Sequence, residues 1–240
     1  RRKYDCQGAA MNNYLTLFDT NVAQARSLST IYINLRDGVH IEDVYNNNLL
    51  KAQLVNVVSA FDMFIHGIVK KGVIEIFNKT RKDTPKFQSF AFQAKTILKL
   101  IEVMSPGFMP SSFDEIPDVI LEKELSDKLS FMSFQSPDKV TDALSLIWGE
   151  PHKLQVLAAD MNISGCNTNE KANNLKQELT TIIQRRNQIA HEGDINPATQ
   201  LPRSIELSDV NNASDFITSL AHAVFRRVTA ADCYKNEFAI

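Results

Sequence analysis

Glycine is scarce, cysteine nearly absent, and neither sign of charge prevails. Eight glycines in 240 residues is about half the usual frequency, so long regular segments with few left-handed turns are expected. The three cysteines, Cys6, Cys166 and Cys233, lie far apart and form no CxxC pair. Neither a disulfide framework nor a metal site is expected, and a reducing cytoplasm is the expected home. With 26 Lys+Arg against 28 Asp+Glu the formal net charge is −2. A protein that coats nucleic acid with its whole surface would be clearly basic, so any nucleic acid must be held at a local site. No uninterrupted apolar run approaches the roughly 20 residues of a membrane span, and no membrane partner is expected. The opening Arg1-Arg2-Lys3-Tyr4-Asp5 leads into no apolar stretch of signal-peptide type. Phosphate-loop, HExxH, GxSxG and GxGxxG patterns are also missing, which removes support for nucleotide hydrolysis, zinc proteolysis and serine hydrolysis by familiar routes.

What is present is apolar residues at helical spacing. At 44% hydrophobic, the chain has enough apolar side chains to bury a core rather than remain disordered. A helix over 12–36 is built on Leu15, Phe18, Val22 and Ala25, then Leu28, Ile31, Ile33 and Leu35, and Asp37-Gly38 stops it. A second covers 47–78 on Leu50, Leu54, Val57, Val58, Phe61, Ile65 and Ile68, with Gly72 as a candidate bend or break. A third is expected over 85–104, closed by Ser105-Pro106-Gly107, and 107–117 reads as a loop. Ser136-Pro137-Asp138 reads as an N-cap followed by a first-turn proline, opening a short helix through Ile147. Further helices are expected within 149–165, over 169–191, which Gly193 ends, and over 208–228. Strand-type alternation carries no sheet. The expectation is an all-α fold: one helical domain over 1–240 with an irregular middle at about 105–170.

The helix ending at His191 interrupts its own pattern. At about 100° per residue, Leu175, Leu179, Ile182, Ile183, Ile189 and Ala190 share one apolar stripe. Arg186 falls near the centre of that stripe, and Arg185 on its flank. A guanidinium there is costly unless it is paired or faces an interface or a wet cleft. Asn187 and His191 stack four residues apart on a neighbouring face. The bland alternative is that Arg186 reaches a carboxylate and that His191 simply favours the C-terminal end of the helix dipole.

The run Arg186-Asn187-Gln188-Ile189-Ala190-His191 resembles the RNxxxH form of the Rx4-6H signature of the HEPN superfamily of helical ribonucleases. Extended from Arg185 through Glu192-Gly193-Asp194, it is similar to the C-terminal motif of the RiboL-PSP type of HEPN domain. The resemblance implies an elaborated HEPN-like bundle and metal-independent cleavage of RNA, with the 2′-hydroxyl attacking the adjacent phosphate. It makes His191 a general base or acid, because imidazole ordinarily titrates near neutral pH. It makes Arg186 the phosphate ligand and Asn187 the group that orients His191 or a phosphate oxygen. It further implies a homodimer with a composite active site, no cofactor, and a role in phage defence, toxin–antitoxin pairs or RNA processing, with an antitoxin or regulatory protein as a candidate partner.

Asp62 and His66, at i and i+4 on the second helix, are supporting candidates, since HEPN domains often bring an early-helix polar residue toward the motif. The preferred reading of that pair is a local helix-stabilising contact. Between Lys79 and Lys86 four basic residues face one acid, followed by Phe87, Phe90 and Phe92. Such a run can grip single-stranded RNA, although core anchors beside a solvated loop are the more ordinary arrangement. Trp148, His40, His152 and His222 receive no role. The alternative from another class is a non-catalytic helical module that binds RNA or a partner protein.

Overall fold

The computed structural model describes residues 5–38, 43–130 and 136–230, with side chains from Met11 in the first segment and Asn46 in the second. The side chain of Cys6, and His40 and Cys233 altogether, lie outside the described residues. Among the described residues nine α-helices follow in chain order: α1 (Asp5–Gly38), α2 (Asp43–Phe77), α3 (Pro85–Gln88), α4 (Ala94–Val103), α5 (Pro117–Ser130), α6 (Pro137–Leu144), α7 (Lys153–Asp160), α8 (Thr168–His191) and α9 (Leu207–Ala230). Among the described residues no strand forms, and Ile195 and Pro202 make an isolated antiparallel bridge. The fold is all-α.

α2 is the spine. Leu50, Val57, Phe61, Ile65, Ile68, Val69 and Val73 are all buried, and α1, α5, α6, α8 and α9 pack around the helix. Each fully buried Leu, Ile, Val or Phe contributes about 1.5–3 kcal/mol, which explains why so apolar a helix sits at the centre. Its stretch Asn46–Phe77, with a hydropathy of 1.4, has the length and composition to cross a bilayer, yet 61% of its most apolar window is buried inside the bundle. That is how a core helix reads when it is apolar nearly all round. Phe18 of α1 meets Phe64 of α2 with ring centroids 5.5 Å apart.

Gly72 does not break α2, which runs on to Phe77. A Cβ there would lie 2.6 Å from Ile147 Cγ2, so glycine lets the 145–147 turn press against the helix. Two polar groups of side chains are nonetheless buried here, each with partners as burial demands. Gln53 of α2 bonds Ser29 of α1 and donates to Ser214 of α9 at 3.2 Å. Arg81 is buried against Glu75 at 2.9 Å and donates to Val228 O at 2.9 Å, tying the end of α2 to the end of α9.

The expected helix over 85–104 is instead two. Thr84 caps α3, its Oγ1 accepting from Phe87 N at 3.0 Å, and the chain then leaves helical geometry through Phe90 and Phe92. The buried Glu124 of α5 accepts from Gln93 N at 3.0 Å and from Thr96 Oγ1 at 2.8 Å, so α4 starts afresh on a tertiary anchor. Phe90 and Phe92 meet edge to face at 5.1 Å, and with Phe87 they pack on the core. Arg81 is buried and Lys86 pairs with Asp142 at 2.8 Å; this segment is therefore structural in its aromatics and in Arg81.

The middle is also more regular than expected. α5 was not anticipated. Pro117 occupies its first turn, as proline can, and Leu121, Leu125 and Leu129 are fully buried. The Ser136 cap forms as expected, accepting from Lys139 N at 3.3 Å, although α6 ends at Leu144.

Candidate functional site

α8 begins on Asn167, whose side chain accepts from Glu170 N at 2.9 Å, and runs without interruption to His191. Its apolar stripe is covered at Leu175, Leu179, Ile182 and Ile183, then loses cover: Ile189 is half-buried and Ala190 exposed. Arg186 lies on the stripe at this transition and is half-buried. Its Nε is buried without a hydrogen-bond partner, and so is Oδ1 of the adjoining Asn187. His191, the last helical residue, is exposed.

The helix is ended by two successive left-handed residues, Gly193 (φ 63°) and Asp194 (φ 59°). Glycine adopts this conformation at no steric cost, and Asp is among the few other residues that tolerate it. Glu192 N and Asp194 N both donate to Gln188 O, at 3.1 and 3.0 Å, which satisfies a terminal carbonyl. The chain then folds back: Asn196 N donates to Leu201 O at 2.8 Å, and Arg203 N to Asp194 O at 2.9 Å. Arg203 also donates from its guanidinium to Ile195 O at 2.7 Å.

This turn buries the Asp194 carboxylate between two cations. Arg185 grips both carboxylate oxygens, and Lys51 of α2 reaches Oδ2 at 2.8 Å. Arg185 donates further to Ser204 O at 3.1 Å. Burial pushes the Asp194 carboxyl up, but the hydrogen bonds and charges of Arg185 and Lys51 outweigh it and hold it below the usual carboxylate range. One carboxylate thus ties together α2, α8 and the turn after α8. A cavity of about 330 Å³ opens beside it, lined by Arg185, Ile182, Leu54, Ser204 and Ile205, with neither Arg186 nor His191 in its wall.

The two adjacent arginines have therefore been given different environments. Arg185 is consumed by Asp194. Among the described residues Arg186 makes no ion pair, so the expectation that it reaches a carboxylate is not how the chain folds. Asn187 and His191 remain one turn apart on the same helix. Asp62 and His66 pair with each other at 3.5 Å, some three turns, roughly 16 Å, beyond Lys51 along α2. Lys51 was missed by sequence reasoning, and Arg185 was named only for its place on the flank and in the quoted run. Asp194 stood within the quoted run, but nothing in the sequence marked it as buried or named its partners. Of the residues given no role, His222 bonds Asp19 at 2.8 Å, Trp148 is buried, and the His152 backbone N donates to Glu150 at 2.8 Å.

The all-α bundle is the architecture of a HEPN domain. A family model for the RiboL-PSP-HEPN domain matches residues 19–230, which spans the bundle from α1 to α9. The chain belongs to that family. No curated protein and no solved structure matches it.

Proposed function

We propose that the protein is a metal-independent endoribonuclease whose site is formed by Arg186, Asn187 and His191. The observation that carries this reading is Arg186: a cation on an apolar stripe, its Nε buried and unpartnered, beside a neighbouring arginine already neutralised by Asp194. A guanidinium kept free in this way can take a phosphate bidentately and stabilise the charge that grows in the transition state. The 2′-oxygen bonds to phosphorus as the bond to the 5′-oxygen breaks. One imidazole accepts the 2′-hydroxyl proton, and a second gives a proton to the 5′-oxygen. A two-fold dimer with the exposed stripe ends facing each other supplies both imidazoles from the His191 of each protomer. The products are a 2′,3′-cyclic phosphate and a 5′-hydroxyl. In this reading the enzyme acts in the cytoplasm, in defence, in a toxin–antitoxin pair or in RNA processing, and a partner protein holds it in check.

The test is RNA cleavage in excess EDTA by the native chain, Arg186→Ala and His191→Ala. Loss of either group is expected to slow cleavage by on the order of 10²–10⁴-fold, with both variants still folded. A substrate carrying 2′-deoxyribose at the cleaved linkage should be inert. Equal cleavage by all three proteins would make the motif structural. Binding of RNA without cleavage by the native chain would favour the non-catalytic module.

A further inference from the structure

α8 and α9 each pack on α2, and between them a cavity of about 330 Å³ stays open beside the buried Asp194. Its size sits at the lower end of the roughly 300–1,000 Å³ of small-molecule sites. The floor is apolar: Leu54 of α2, Ile182 of α8, Ala213 of α9 and the preceding Ile205 line it, and all four are buried. Such a floor takes an uncharged ring in preference to a charged group.

The wall and the mouth narrow the kind of ring. Arg185 lines the cavity, and its terminal nitrogens donate to both Asp194 oxygens and, at 3.1 Å, to Ser204 O. These bonds lie in the guanidinium plane and hold it still. What Arg185 offers an occupant is therefore its flat face, on which a nucleobase stacks. Glu178 and Asp209 at the mouth are exposed carboxylates, whereas Arg185 is already neutralised by Asp194. An acidic mouth repels a phosphate, so the base is the part of a nucleotide that can enter. Asp209 and Asn212 lie three residues apart on one face of α9, and both line the cavity. A carboxylate accepts two N–H groups side by side, and an amide donates to an oxygen next to them. Of the four RNA bases, guanine is the one whose edge presents an oxygen followed by two adjacent N–H donors.

We infer that this cavity is a guanine-selective nucleobase subsite. The base stacks on Arg185, its N1–H and N2–H₂ donate to the Asp209 carboxylate, and its O6 accepts from the Asn212 amide. Arg185 immediately precedes Arg186, so the subsite and the proposed phosphate ligand occupy faces of α8 about 100° apart. A strand laid across the end of α8 can set one base in the cavity while a nearby phosphate meets Arg186. That use of the subsite rests on the ribonuclease reading; binding of the free nucleoside does not.

The test pairs an NMR titration with guanosine, adenosine, cytidine and uridine with mapping of the cuts in a random-sequence RNA. Both are repeated with Asp209→Asn and Ala213→Leu, each checked by circular dichroism. Asp209 is exposed, so its variant should keep the fold, whereas Ala213→Leu fills the cavity. Guanosine is expected to bind about tenfold more tightly than the other three, shifting the methyl signals of Ile182 and Ile205, and cuts should fall at a fixed spacing from a guanine. Asp209→Asn should remove that preference in both measurements, raising KM about tenfold with kcat nearly unchanged. A folded Ala213→Leu should bind no nucleoside. Nucleosides that bind equally or not at all would overturn the inference, as would a guanine preference that survives Asp209→Asn. Guanosine binding that depends on Asp209 in a chain that cuts no RNA would uphold the subsite and remove the ribonuclease reading. Cleavage without base preference would uphold that reading and overturn the subsite.

Discussion

Replacing Asp194 with Asn separates the architecture of the site from its chemistry. The native carboxylate is buried, bonded by Arg185 through two N–H groups and by Lys51 at 2.8 Å. The amide keeps the shape but removes the charge, and its NH₂ turns donors toward donors. Rupture of a fully buried ion pair costs about 3–5 kcal/mol. Here the cations are less deeply placed, with Lys51 16% and Arg185 21% exposed, and Arg185 retains Ser204 O. Both can turn partly to water, so the expected loss is about 1.5–3 kcal/mol. In a chain of this size that lowers the melting temperature by roughly 4–10 °C. The assay is thermal and urea unfolding followed by circular dichroism, at pH 7 and in steps toward pH 3. The native Asp194 carboxyl is held below its ordinary value, so its stabilisation is present above the unfolded carboxyl pKa, about 3.9, and is lost as pH falls through the folded value. The gap between native and Asp194→Asn should therefore be full at pH 7 and shrink in acid. A gap below about 0.5 kcal/mol at pH 7, or one that widens as pH falls, refutes the reasoning.

Arg186→Leu should leave stability unchanged or raise it by up to about 1 kcal/mol while abolishing RNA cleavage, since it removes an unpartnered buried Nε from an apolar stripe; urea unfolding checks the first part. Gly72→Ala should destabilise by about 1–3 kcal/mol because the new Cβ meets Ile147 Cγ2, and Gly72→Ala with Ile147→Ala, which removes that methyl, should cost less than the sum of the two single changes. Arg81→Ala should cost about 3–5 kcal/mol, since it leaves Glu75 buried without its cation and frees Val228 O; a melting temperature within 3 °C of native would contradict this.

The long helices were legible because each keeps one apolar face over several turns. α1, α2, α8 and α9 could be read from Phe18, Phe61, Leu179 and their neighbours, and Arg186 was visible as the residue that breaks such a face. Capping chemistry was legible too, in Ser136-Pro137 and in Gly193 after His191, because it depends on residues a few positions apart. α3 and α4 were expected as one helix, and α5 was not expected. The 85–104 segment divides because Glu124, a residue of α5, supplies the acceptors that restart the chain at Gln93 and Thr96, and no local pattern announces a partner that distant. α5 escaped notice because its buried Leu121, Leu125 and Leu129 are interleaved with charges and preceded by a proline-containing loop.

At the site, the same division holds. The sequence by itself determined that Arg186, Asn187 and His191 share the end of one helix, since helical spacing alone places them there. Only the tertiary structure decided which of two adjacent arginines Asp194 takes. Lys51 comes to Asp194 across most of the chain, and the two successive left-handed residues after α8 turn that carboxylate inward. The physical reason is that a buried charge must find its counter-charge wherever the packed helices bring one, and packing is set by the whole core rather than by neighbours in sequence.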